Sequence, residues 1–148
     1  MELPSAKVGR ILTKYVERIA DALGSRETGA NGAAGYERYL LERGLELPED
    51  FREVLIQHDG GIVNLPGCYL QIWTTKELET LNNAYHVEEF APGVVLFGSN
   101  GGDTAYGFRR EGVQTAIIAL PFIGMDLREA STLGTSLEEA LSKIFYNA

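Results

Sequence analysis

Residues 94–120 constrain this chain more than any other stretch. Three apolar runs, Val94-Val95-Leu96-Phe97, Thr104-Ala105-Tyr106-Gly107-Phe108 and Thr115-Ala116-Ile117-Ile118-Ala119-Leu120, read as β-strands rich in branched and aromatic residues. The links between them, Gly98-Ser99-Asn100-Gly101-Gly102 and Arg110-Glu111-Gly112, are far shorter than the roughly twelve residues a parallel crossover needs. These strands must therefore pair antiparallel with their sequence neighbours. Tyr69-Leu70-Gln71-Ile72-Trp73 supplies a fourth strand for the same sheet.

Helical patterns surround these strands. In residues 7–23 the apolar side chains Val8, Ile11, Leu12, Tyr15, Val16, Ile19, Ala22 and Leu23 recur at three- and four-residue spacing, and Gly24 ends the stripe. Residues 25–35, rich in Gly, Ala, Asn and Thr, lack the apolar surface to order themselves and read as a flexible loop. A short helix over 36–43 stops at Gly44. Another opens at Pro48-Glu49-Asp50, with two acids beside the positive helix end, and runs to about His58 before Gly60-Gly61. Thr74 and Glu77 form a capping box for a helix through Leu78, Leu81 and Tyr85. Thr135 and Ser136 precede Glu138 and Glu139 in overlapping boxes that open a last helix. The expected fold class is α+β, with a single antiparallel sheet of about four to six strands packed with helices.

A length of 148 residues, with no repeat and no linker, sets one domain over 1–148. No apolar run approaches the roughly 20 residues that span a bilayer, and the N-terminus lacks the order of a secretion signal. With Cys68 as the sole cysteine, the expectation is a cytoplasmic protein without disulfides. The formal charge is −8, from 21 Asp and Glu against 13 Lys and Arg. That balance argues against nucleic-acid binding, which needs phosphate neutralisation, and leaves two readings, attraction of basic partners or solubility alone.

Candidates for chemistry are few. His58-Asp59 is the most enzyme-like pair, yet neighbours on a helix project about 100° apart and do not face each other. His86 lies near Glu88 and Glu89 without the spacing of a zinc motif, so no metal and no cofactor is expected. The glycine turn before Asp103 lacks the Gly-Lys-Ser/Thr ending of a phosphate loop and leads into a strand, so it reads as a hairpin turn rather than an anion cradle. Ser99 has no flanking pattern of a nucleophile, and Cys68 has no basic neighbour to activate it.

Three segments together resemble the SUKH superfamily, which includes bacterial immunity proteins and the Smi/Knr type of cell-wall assembly regulators. The first is Leu47-Pro48-Glu49-Asp50-Phe51-Arg52-Glu53-Val54-Leu55 running into Asp59-Gly60-Gly61. The second is Leu96-Phe97-Gly98-Ser99-Asn100-Gly101-Gly102-Asp103. The third is Ala130-Ser131 followed by Thr135-Ser136-Leu137-Glu138-Glu139-Ala140-Leu141. The likeness covers about residue 36 to the C-terminus and leaves the first helix and the 25–35 loop outside it. Phe51 departs from the tyrosine more usual there.

The resemblance implies a Smi/Knr-like fold and a non-catalytic protein-binding module, foremost an immunity protein that neutralises a cognate toxin. A basic toxin domain would suit the acidic charge. Two alternatives stand beside it: a scaffold in cell-wall or signalling regulation, and a hydrolase or small-ligand enzyme using His58, Asp59 and Asp103. For a partner surface the candidates are the acids Asp59, Glu88, Glu89 and Asp103 for steering, with Trp73 and Tyr106 as aromatic anchors.

Overall fold

A computed structural model describes residues 14–23 and 31–147. Residues 7–13 of the first expected helix and 25–30 of the expected loop lie outside the described residues. Six strands form one sheet in the order of the sequence: β1 (Gly61–Leu65), β2 (Cys68–Ile72), β3 (Val95–Ser99), β4 (Thr104–Glu111), β5 (Gln114–Pro121) and β6 (Ser131–Gly134). Every adjacent pair is antiparallel, as the short links require. The helices are α1 (Lys14–Leu23), α2 (Ala33–Leu41), α3 (Glu49–Gln57), α4 (Thr75–Ala84), α5 (Val87–Phe90) and α6 (Leu137–Asn147). Among the described residues no helix is long and apolar enough to cross a membrane.

Two strands escaped the sequence reading. β1 follows directly on Gly60-Gly61, and it pairs with β2 across a Pro66-Gly67 turn in which Gly67 takes a positive φ. β6 occupies the small residues that looked like a lead into the last helix, and joins β5 through a register shift. The second helix begins at Ala33 rather than Tyr36. The Asn31 side-chain oxygen accepts from the Ala33 amide, and Gly35 sits inside the helix because a side chain there would collide with Thr75 of α4. Glycine here serves close helix packing, and residues 31–35 are ordered structure rather than loop.

Strands β3 to β5 are covered on both faces, each by a different set of elements, whereas β1 and β2 leave Ile62 and Tyr69 exposed on the second face. On one face Val16, Ile19 and Leu23 of α1, Tyr36 and Leu40 of α2, Phe51 and Leu55 of α3, and Leu137, Leu141 and Ile144 of α6 pack on Leu70, Phe97, Tyr106, Phe108 and Ile117. The other face carries a smaller core of Trp73, Val87, Val94, Leu96, Ala105, Ile118, Leu120 and Met125. Alternation along each strand sends neighbouring residues to opposite layers, so Ala105 and Tyr106 belong to different cores.

Carboxylates tie the helices together at their positive ends. Asp50 of α3 accepts from the Leu137 and Glu138 amides that open α6, at 2.9 and 2.8 Å. Glu138 in turn accepts from the Tyr15 and Val16 amides of α1. Asp50 thereby places an anion at the opening N–H groups of α6, where the helix supplies no partner of its own.

Candidate protein-binding surface

The end of the smaller core is built around α4. Its first turn is fixed twice: Thr74 and Glu77 form the capping box read from the sequence, and Asp59 accepts from the Thr75 amide and hydroxyl at 2.8 and 2.9 Å. Gly60 makes this possible, since any side chain there would strike the Ile72 carbonyl oxygen and the Trp73 backbone, and its φ is +77°. The Tyr36 hydroxyl donates to the Trp73 carbonyl at 2.6 Å from below. Burial, and after it the charges of Asp59 and Glu77, raise the Tyr36 phenol well above its usual range, so it stays a neutral donor.

Farther along α4, the buried side chain of Asn82 bonds to strand β3. Its amide donates to the Leu96 carbonyl at 2.9 Å and to the Leu78 carbonyl at 2.7 Å, and its oxygen accepts from the Leu96 amide at 2.9 Å. β2 pairs with β3 only at Gln71 and Ile72, so at Leu96 there is no strand on that side. Asn82 fills the place of the missing neighbour and holds α4 against the sheet.

This anchored helix ends in exposed aromatic residues. The Tyr85 ring lies parallel to Trp73, with centroids 6.2 Å apart, and tilts against Phe122 at 4.8 Å. His86 follows with φ +55° and ψ +44°, the one non-glycine residue at positive φ among those described, and this turn starts α5 in a new direction. Phe90 closes α5 with its ring edge-on to His86. Tyr85 is 41% exposed, Phe90 52%, and Ile123, next to Phe122, 88%. The Phe122 amide donates to the Asp103 carbonyl, which brings the β3–β4 turn to the same end.

Glu88, Glu89 and Asp103 are exposed, and none has an ion-pair partner among the described residues; the charge of Glu88 reaches Tyr39 of α2. The Thr104 hydroxyl donates to Asp103 at 3.2 Å. By contrast Trp73 and Tyr106 are each only 6% exposed, so neither offers a partner an anchoring surface. Trp73 supports Tyr85 from beneath, whereas Tyr106 faces the opposite core beside Phe97. Asp59 is occupied as the cap of α4. Of the six residues singled out from the sequence, the structure leaves three acids on the surface and puts the exposed rings on Tyr85 and Phe90, with Phe122 half-buried.

His58, Asp59 and Asp103 do not converge. Asp59 lies beyond the Gly61–Ile72 rung of the sheet, while the turn leading to Asp103 lies past the Ser99–Gln71 rung, with Gly101 against the Tyr69 ring. At about 3.3 Å per residue along β2 the separation is on the order of 10 Å. The turn also satisfies its own amides: Ser99 accepts from Gly101, and Asn100 from Gly102 and Thr104. Those N–H groups are unavailable to an anion. Burial pushes the Cys68 thiol up to about 11, which leaves it protonated and unreactive at neutral pH. Among the described residues no group of three His, Cys, Asp or Glu side chains could hold a metal.

No protein-family model matches the chain, and no curated protein matches its sequence significantly.

Proposed function

We propose that this protein is a non-catalytic binding module of the immunity type, which neutralises a basic toxin domain by covering part of its surface. The observation that carries this reading is the surface at the end of α4: the exposed ring of Tyr85, braced by Trp73 and Phe122, and that of Phe90, with Glu88 and Glu89 next to Phe90 in the chain and Asp103 bonded through its carbonyl to Phe122, none of the three ion-paired among the described residues. Aromatic side chains on a rigid base lose little conformational entropy on binding and supply the anchors of interfaces, and rim charges of one sign speed encounter with a partner of the other. The net charge of −8 extends the same attraction over longer range. The three-segment resemblance to the SUKH superfamily points to the same class of function.

The test is an activity titration. The reading requires a toxin domain encoded in a neighbouring gene, which is assayed with increasing amounts of the protein. The reading requires inhibition that saturates at one protein per toxin. Undiminished toxin activity at a tenfold excess would refute it.

A further inference from the structure

Two asparagines of this chain precede a glycine, Asn31 before Gly32 and Asn100 before Gly101. At such a pair the glycine nitrogen can attack the asparagine side-chain carbonyl, because glycine has no Cβ to hinder the approach and few conformational limits. The covalent chemistry of the two pairs is the same. Any difference between them in the folded protein comes from their surroundings.

The surroundings of Asn31 oppose the reaction. The Gly32 amide donates to the Leu55 carbonyl of α3 at 2.7 Å, a bond between two backbone groups. Gly32 is buried, and a side chain on it would collide with the Asp59 carboxylate. An anion that close resists removal of the N–H proton, which the attack requires.

The surroundings of Asn100 favour it. The side-chain oxygen of Asn100 accepts from the Gly102 and Thr104 amides at 2.9 and 3.2 Å. Both donors stay aimed at that oxygen as it turns into an oxyanion, which is how a carbonyl is made open to attack. The Gly101 amide is tied only to the Ser99 side-chain hydroxyl, at 3.1 Å, and Gly101 and Gly102 are exposed to water. Among the described residues the side-chain nitrogen of Asn100, the group that must leave, makes no hydrogen bond.

We propose that Asn100 is a site of self-modification in the folded protein, converted to a carboxylate through a cyclic imide with Gly101, and that the fold protects Asn31 from the same reaction. Hydroxide takes the Gly101 N–H proton, the nitrogen bonds to Cγ of Asn100, and the Cγ–Nδ2 bond breaks as Nδ2 takes a proton from water and leaves as ammonia. Water then adds to one of the two imide carbonyls and opens the ring, which gives aspartate or isoaspartate. One water is consumed and one ammonia released, with no oxidant or reductant. The aspartate product still accepts from both turn amides, so the hairpin survives, and it adds one negative charge to the formal −8 in the same turn as Asp103.

The test is peptide mass spectrometry after incubation at mildly alkaline pH, on the folded protein and in parallel on protein unfolded in guanidinium chloride. Each asparagine is compared with its own rate in the unfolded chain. Folding should slow Asn31 at least about tenfold more than it slows Asn100, since Asn31 reacts only after a buried backbone bond is broken. The Asn100 product should include isoaspartate, which only opening of the imide yields. A smaller difference between the two sites, or a product that is aspartate alone, would overturn the proposal. Asn100→Asp should keep the wild-type Tm; a lower one would overturn the claim that the turn survives the reaction.

Discussion

Replacing Asn82 by alanine tests whether one side chain substitutes for a strand. The Asn82 amide serves both the N–H and the C=O of Leu96, a fully buried strand residue with no β2 neighbour at that level. Alanine leaves both groups without partners. The Leu78 carbonyl keeps its intrahelical bond from the residue 82 amide, so its loss is small. A buried donor or acceptor stripped of its partner costs about 1–3 kcal/mol, which puts the total for the two Leu96 groups at about 2–4 kcal/mol. With a urea m value of about 2 kcal/mol/M, the unfolding midpoint should fall by about 1–2 M. Trp73, the only tryptophan, lies at the base of α4 and reports the transition by fluorescence. Asn82→Asp should be at least as damaging, since a carboxylate can accept from the Leu96 amide but cannot donate to its carbonyl. A midpoint shift below about 0.3 M for the alanine variant would refute the account of how α4 is held.

Three further outcomes follow from named contacts. Asp50→Ala strips the carboxylate from two opening amides of α6 and should cost about 1–2 kcal/mol, read as a Tm several degrees lower. Glu111 titrates below the usual carboxylate range because the Thr132 hydroxyl and then Arg109 donate to it. Its stabilisation is therefore present above the unfolded carboxylate pKa and lost as pH falls through the lower folded value; the gap between wild type and Glu111→Gln, below about 1 kcal/mol at this accessible site, should close in acid, and a gap constant from pH 7 to pH 2 would contradict it. Cys68, with its thiol raised to about 11, should resist a chromogenic disulfide reagent at pH 8 until the protein is unfolded in urea, and rapid labelling of the native protein would contradict its burial.

The fold was legible where period and punctuation agreed. The short turns between β3, β4 and β5 dictated the antiparallel meander, and the Thr74–Glu77 box marked the start of α4. β1 was missed because Gly60-Gly61 read as the end of a helix, although Pro66-Gly67 between two apolar stretches was a hairpin signal in plain view. β6, four residues with only Leu133 as a large apolar side chain, carries no periodic signal, and its pairing is set by β5.

The surface was harder to read. Trp73 and Tyr106 were chosen for residue type, but exposure is set by which layers cover each face of the sheet, and sequence does not give that. Asp59 looked like a free acid beside a histidine, whereas its partner is Thr75, held close only by the tertiary fold. The rings on the surface had one local sign: Phe90 stands among Glu88, Glu89 and Pro92-Gly93, where no helical stripe needs an aromatic residue.

The central claim, the proposal of an acidic and aromatic surface that covers a basic toxin, is tested most directly by screening toxin domains encoded in neighbouring genes for binding and measuring association and dissociation rates with the one bound, at low and physiological salt; binding to none of them would contradict the account. Phe90→Ala and Tyr85→Ala should speed dissociation by tenfold or more with association little changed. Charge reversal at Glu88, Glu89 or Asp103 should slow association and flatten its salt dependence. Rates that match wild type for all five variants at both salt concentrations would contradict the account.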